Sequence, residues 1–173
     1  ADEEKANGSF TVNGETGKYR SLSKTEWQYL FSYDATEGGT QPSETNYDNE
    51  VRRGKYKYGV TVCGKTNCIV ILPDVWDTDV ISLASFATTT EYSSTTTPTW
   101  STMEAAGAVC LPAAGNEYDD DVWNVGNNGD YASSTTDNKN LSYFVEFGNN
   151  PLTFVNGHRD IGISIRLVSE SDG

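Results

Sequence analysis

WSTMEAAGAVCLPAAG, running from Trp100 to Gly115, reads as a helix that passes through a single glycine into a strand. Trp100 and Met103 lie three residues apart and mark one apolar face of the helix. Pro98 falls in its first turn, where an amide is not needed, with Thr96 or Thr97 as the cap. Gly107 suits the left-handed position just past the helix end. Ala108 to Leu111 follows as a short apolar strand, in which Cys110 serves as a small buried hydrophobe.

Towards the N-terminus, Ser23-Lys24-Thr25-Glu26-Trp27-Gln28-Tyr29-Leu30-Phe31 predicts another helix. Ser23 and Glu26 form the S-x-x-E capping box, Leu22 and Trp27 the hydrophobic staple, and Trp27, Leu30 and Phe31 share one face. Residues 1–16 are small, acidic and weakly patterned, a flexible tether before a domain over 17–170. Two strands are expected near Tyr56–Val62 and Cys68–Leu72; Ile69-Val70-Ile71-Leu72 is continuous rather than alternating, so both faces should be covered. Asp34–Asn49 and the Thr- and Ser-dense Ser85–Thr99 read as loops. Leu141–Phe147 and Leu152–Val155 read as strands around a Gly148–Pro151 turn. Ile161–Val168 alternates as a last strand, with Ile161, Ile163, Ile165 and Leu167 on one side.

The chain of 173 residues suits one domain, and 36% apolar content supports a buried core. A net charge of −13 argues against nucleic acid, whose phosphates demand a basic face. No apolar run of spanning length occurs, and no basic-then-apolar leader opens the chain, so any signal segment is expected to have been removed. Fifty residues are Thr, Ser or Asn, a hydroxyl- and amide-rich composition common on secreted proteins, and β-formers outnumber helix formers.

Cys63 and Cys68 flank Gly64-Lys65-Thr66-Asn67; in a hairpin with that loop they would face each other within disulfide reach. No second Cys/His pair completes a metal site. His158, the single histidine, lies in a loop-like stretch without a nucleophile elbow, so no catalytic residue is assigned. Asp119-Asp120-Asp121 lacks the alternate spacing of a calcium loop and reads as a solvated acidic turn. Nine of the 14 asparagines fall between Asn116 and Asp160, consistent with turn chemistry or with a recognition surface of aromatic anchors and adaptable amides. In Tyr143–Phe147, alternation sends Tyr143, Val145 and Phe147 inward and Phe144 and Glu146 outward.

The order of these stretches resembles a known family. Tyr19–Trp27 resembles the R-x-L-x-x-x-E-W segment of formylglycine-generating-enzyme-like proteins. Val70–Trp76 and Trp100–Gly115 are similar to the ILPD-x-W and W-x-x-M-E-A-A-G-A-V-F-L-P-A-A-G segments of the Fibrobacter succinogenes major paralogous domain, and Gly162–Val168 to its G-F-S-V-R-L-V. The resemblance implies an α+β, C-type-lectin-like fold: two helices beside a compact, mixed and mostly antiparallel sheet whose final strand returns to the start of the domain. It further implies a bacterial or phage surface protein, secreted or lipid-anchored, akin to the variable proteins diversified by retroelements, whose C-terminal strands and loops bind ligand. Two departures stand out: no cysteine follows Cys110, so the enzyme's catalytic pair is missing, and Ala132 replaces the branch's usual Trp. The calcium motifs of animal lectins are also absent.

Strand parity and the family's usual face together give an expected contact set of Asp130, Tyr131, Phe144, Glu146, Asn150, His158 and Asp160, with Tyr131 and Phe144 as anchors. The expected function is non-catalytic recognition or adhesion, with a protein or glycan on another surface as partner and no cofactor or metal. The alternatives are a secreted calcium- or carboxylate-dependent glycan-acting enzyme and a structural module of a surface assembly.

Overall fold

In the computed structural model, residues 9–12, 14–32, 50–137, 141–148, 152–158 and 160–169 are described. Helix α1 (Lys24–Leu30) begins at the capping box read from the sequence. Ser23 Oγ accepts from the Glu26 amide at 3.2 Å, and the Glu26 carboxylate accepts from the Ser23 amide at 2.8 Å. Arg20 forks onto the same carboxylate at 2.7 and 2.8 Å, tying the preceding strand to the helix start. Trp27 and Phe31 are buried and stacked, 5.8 Å between ring centres.

The central sheet explains the continuous apolar run. Strands β3 (Tyr56–Val62), β4 (Lys65–Ile71), β5 (Glu91–Tyr92) and β6 (Val109–Leu111) lie in the order β5-β3-β4-β6, all pairs antiparallel except β3 with β5. Alternate residues at the end of β4 feed two separate cores. Ile69 and Ile71 join Trp27, Phe31, Tyr56 and Leu111 on one side. Cys68, Val70 and Leu72 join Val60, Phe86, Tyr92 and Met103 on the other. A strand buried on both faces cannot alternate with polar residues.

The turn joining β3 to β4 overturns the expected disulfide. Val62 pairs with Lys65, leaving Cys63-Gly64 as a two-residue turn with φ of 50° and 81°, the positive values that a type I′ hairpin requires. Cys68 then sits opposite Val60, not opposite Cys63. Cys63 is exposed, Cys68 is buried with Sγ donating to the Lys65 carbonyl at 3.2 Å, and all three cysteines are free thiols.

Three further expectations shift. Part of the stretch read as a tether belongs to a hairpin: β1 (Ser9–Val12) pairs antiparallel with β2 (Glu15–Ser21). Within Ser85–Thr99, read as loop, the first residues belong to a helix, α2 (Leu83–Thr88), capped by Ser82 and held by buried Phe86. Helix α3 (Trp100–Ala105) is capped by Thr99 rather than Thr96 or Thr97, and Gly107 follows its end at φ 94°. Among the described residues there are thus three helices, where two were expected. The expected loop Asp34–Asn49 lies outside the described residues.

The remaining strands are β7 (Asn116–Tyr118), β8 (Asp121–Trp123), β9 (Asn128–Asp137), β10 (Leu141–Gly148), β11 (Thr153–His158) and β12 (Leu167–Ser169). They form a β7-β8 hairpin, an antiparallel β11-β10-β9 sheet, and a β1-β2-β12 sheet that joins the two ends of the described chain. The alternating Ile161–Val168 run is not one strand. It makes isolated bridges at Gly162 and Ser164, leaves Ile165 exposed, and becomes regular only from Leu167. The class is α+β, and no described helix is long and apolar enough to cross a membrane.

Candidate ligand-binding face

The β11-β10-β9 sheet has one face in the core. Val145 and Phe147 are fully buried, and Tyr131, opposite Val145, stacks on Phe147 at 5.8 Å and donates its hydroxyl to the Pro112 carbonyl at 2.9 Å. Gly129 makes this packing possible, because a Cβ there would lie 2.3 Å from the Phe147 ring. Tyr131 is therefore a core residue, and its expected role as a surface anchor is withdrawn. Burial accordingly drives its phenol well above the ordinary range. Tyr143, expected in the core, is only half-buried, with the Lys24 ammonium 3.8 Å from its ring centre.

The opposite face carries Phe144 and Glu146 as alternation requires, but it is not open. Ser164 sits at the edge of β9, donating to the Asp130 carbonyl and accepting from the Ala132 amide, both at 2.9 Å. The Phe144 ring lies over Gly157, whose missing Cβ would meet it at 2.7 Å and Ile161 at 3.7 Å. Phe144 and Glu146 are half-buried as a result. Asp130 is only 1% exposed and corrects the expectation of a surface contact. Burial pushes its carboxyl up to about 6, the charge of Glu146 adds to the rise, and the Asn116 amide partly opposes it. His158 and Asp160 are exposed, and Asn150 lies outside the described residues. The predicted contact set is therefore not one surface: two members are buried, two half-buried and two exposed.

The aromatic surface lies next door, on the β7-β8 hairpin, where it was not predicted. Tyr118 is 53% exposed and Trp123 54%, with Val122 and Val125 more open still. Register places Tyr118 opposite Asp121 and Trp123 opposite Asn116, so these four side chains share one face and the two rings are diagonal neighbours. Asp119 and Asp120 turn the hairpin at φ of 51° and 65°. The mount is firm. Glu117 exchanges both backbone hydrogen bonds with Gly162 at 2.7 and 2.9 Å, the Gly115 amide donates to Asn128, and the Asn67 side chain donates to the Gly126 carbonyl. Gly115 is close to irreplaceable, since a Cβ there would stand 2.1 Å from the Trp123 carbonyl oxygen.

A second concavity, a cleft of about 620 Å³, opens between α1, the end of β4 and β12, with Trp27, Leu111 and Val168 among its walls. Its two acids are already engaged. Glu26 is held down at about 2: burial opposes this, but the Arg20 guanidinium and the Ser23 amide and hydroxyl outweigh it. Asp74 accepts from buried Arg52 at 2.9 Å and from the Tyr29 hydroxyl at 3.0 Å. Arg52 also reaches the Leu72 and Leu30 carbonyls, clamping the helix end to the sheet.

Compared with known protein families, with curated proteins and with solved structures, the chain matches none.

Proposed function

We propose that this chain is a non-catalytic recognition domain of the C-type-lectin-like type, acting at a bacterial or phage surface on a protein or glycan carried by another surface. The observation that carries this reading is the exposed Tyr118–Trp123 pair, flanked by Asp121 and held on a hairpin anchored to three other segments. Exposed rings cost hydration unless a partner covers them, and rings beside carboxylates suit the stacking and hydrogen bonding that sugars and peptide loops offer. The return of β12 to β2 supports the lectin-type closure implied by the sequence resemblance. The secreted or lipid-anchored location follows from that resemblance alone. Non-catalysis is favoured by the cleft, whose acids are both tied to arginines and so poorly placed for proton transfer.

The test is a glycan array together with binding to whole bacterial cells, for the wild type and for Tyr118→Ala/Trp123→Ala. The reading expects saturable binding by the wild type, lost in the double variant at an unchanged melting temperature. Binding that survives the double substitution would move the site off the hairpin.

A further inference from the structure

Asp130 and Glu146 stand directly opposite each other on β9 and β10, on the face of the sheet away from the main core. Like charges in that position repel, and among the described residues neither has a counter-charge. Asp130 is almost wholly buried, and neither of its carboxylate oxygens makes a well-formed hydrogen bond, although the Asn116 side chain acts on it. The described ion pairs, Arg20–Glu26 and Arg52–Asp74, lie elsewhere. The groups acting on the Asp130 carboxyl are Glu146 and the Asn116 side chain, with no lysine or arginine among them. The neighbouring backbone is already satisfied, since the Asp130 carbonyl takes the Ser164 amide. What the described residues do not supply at this spot is positive charge. A buried carboxylate is costly unless it is paired or bound to a metal.

We propose that Asp130, Glu146 and Asn116 bind one hard divalent cation, with calcium the best match. Two carboxylates balance its charge, and an amide oxygen is an ordinary third ligand; calcium tolerates irregular oxygen shells completed by water, whereas magnesium demands a near-ideal octahedron. Three protein ligands are too few for a closed cage, so water fills the remaining positions. The ion bridges β7, β9 and β10, at the Asn116 end of the hairpin face that carries Tyr118 and Trp123. The site does not depend on what that hairpin binds.

The experiment strips the full chain with EDTA, removes the chelator, and titrates calcium chloride by calorimetry, with magnesium chloride as a second arm and thermal unfolding in parallel. Expected are one calcium per chain and a melting temperature that climbs with the logarithm of free calcium once the site fills. Asp130→Asn and Glu146→Gln should each abolish saturable binding, and stripped Asp130→Asn should melt no lower than the stripped wild type. A purely structural aspartate would not give that last pair of results. If Asp130→Asn fails to fold, Glu146→Gln carries the test alone. Absence of saturable calcium binding to the wild type, a response to magnesium only, or calcium binding that survives both substitutions would overturn the proposal. So would stabilisation by acid with none by calcium, which would mark a shared-proton pair instead.

Discussion

Removing the charge of Asp130 should make the cation-free protein more stable at neutral pH and should flatten a defined stretch of its pH profile. The carboxyl is 1% exposed and is pushed from an ordinary 3.8 to about 6, by burial first and by Glu146 second. In the unfolded chain it ionises near its ordinary value, so between pH 3.8 and about 6 the folded state holds the proton more tightly. The stabilising effect of that proton is complete below pH 3.8 and disappears as pH rises through about 6. A rise from 3.8 to about 6 corresponds to about 3 kcal/mol. Urea unfolding of wild type and Asp130→Asn, in EDTA at pH 3.5, 5 and 7, measures it as a change in midpoint at constant slope. The variant should gain about 3 kcal/mol on the wild type between the lowest and highest pH, most of it between pH 4 and 6. Glu146→Gln should shrink that gain by removing the second cause. A difference between wild type and Asp130→Asn that does not vary with pH would refute the reasoning, because it would mean that Asp130 titrates alike in both states.

Three other outcomes follow from local geometry. Glu26→Gln should lose about 1–2 kcal/mol at pH 7, the shift from 4.5 to about 2 being trimmed by solvent at a side chain one-third exposed. Here the sign is opposite: the stabilisation is present above pH 4.5, and the gap to wild type should close as pH falls towards 2 in thermal melts. A disulfide-exchange reagent added to native protein should modify Cys63 alone and reach all three thiols only after unfolding. The buried Cys68 thiol is drawn down to about 7 by the neighbouring Cys110 thiol, yet it stays out of reach, so a native count of two would mean that the β4–β6 seam opens. Gly115→Ala should cost about 2–4 kcal/mol by equilibrium unfolding, because φ is 74° and the new Cβ would stand 2.1 Å from the Trp123 carbonyl.

Features set within a few residues were legible in the sequence. The Ser23/Glu26 box forms because both partners belong to one helical turn, and Gly107 ends α3 because the left-handed position needs no distant contact. The continuous run in β4 announced burial on both sides, whatever covered it. Helix α2 was hidden because six residues span under two turns and bury only Phe86, too little for a period to show. The Cys63 turn was missed by register: two central residues at positive φ close the hairpin sooner than a four-residue loop and carry Cys68 past its expected partner.

The binding face shows where local reading stops. Alternation correctly separated Phe144 and Glu146 from Val145 and Phe147, but the same rule forbids neighbours such as Asp130 and Tyr131 from facing the same way. One of the two had to point inward, and the register with Val145 sends Tyr131 there. The sequence held that constraint. What it did not hold was the burial of the other neighbour, because what surrounds Asp130 lies far off in the chain: Glu146 opposite it, the Asn116 side chain, and Ser164, which bridges to β9. The segment that carries Ser164 also brings Ile161 near Phe144 and lends its Gly162 backbone to β7. Exposure therefore moves from the strands to the hairpin that this segment supports, where Tyr118 and Trp123 stand open to solvent. A three-residue strand is too short for its alternation to be read, so only the pairing of β7 with β8 reveals that the two rings share a face. If the domain recognises a partner, the chain segment that closes the strand face is also what props up the hairpin that replaces it.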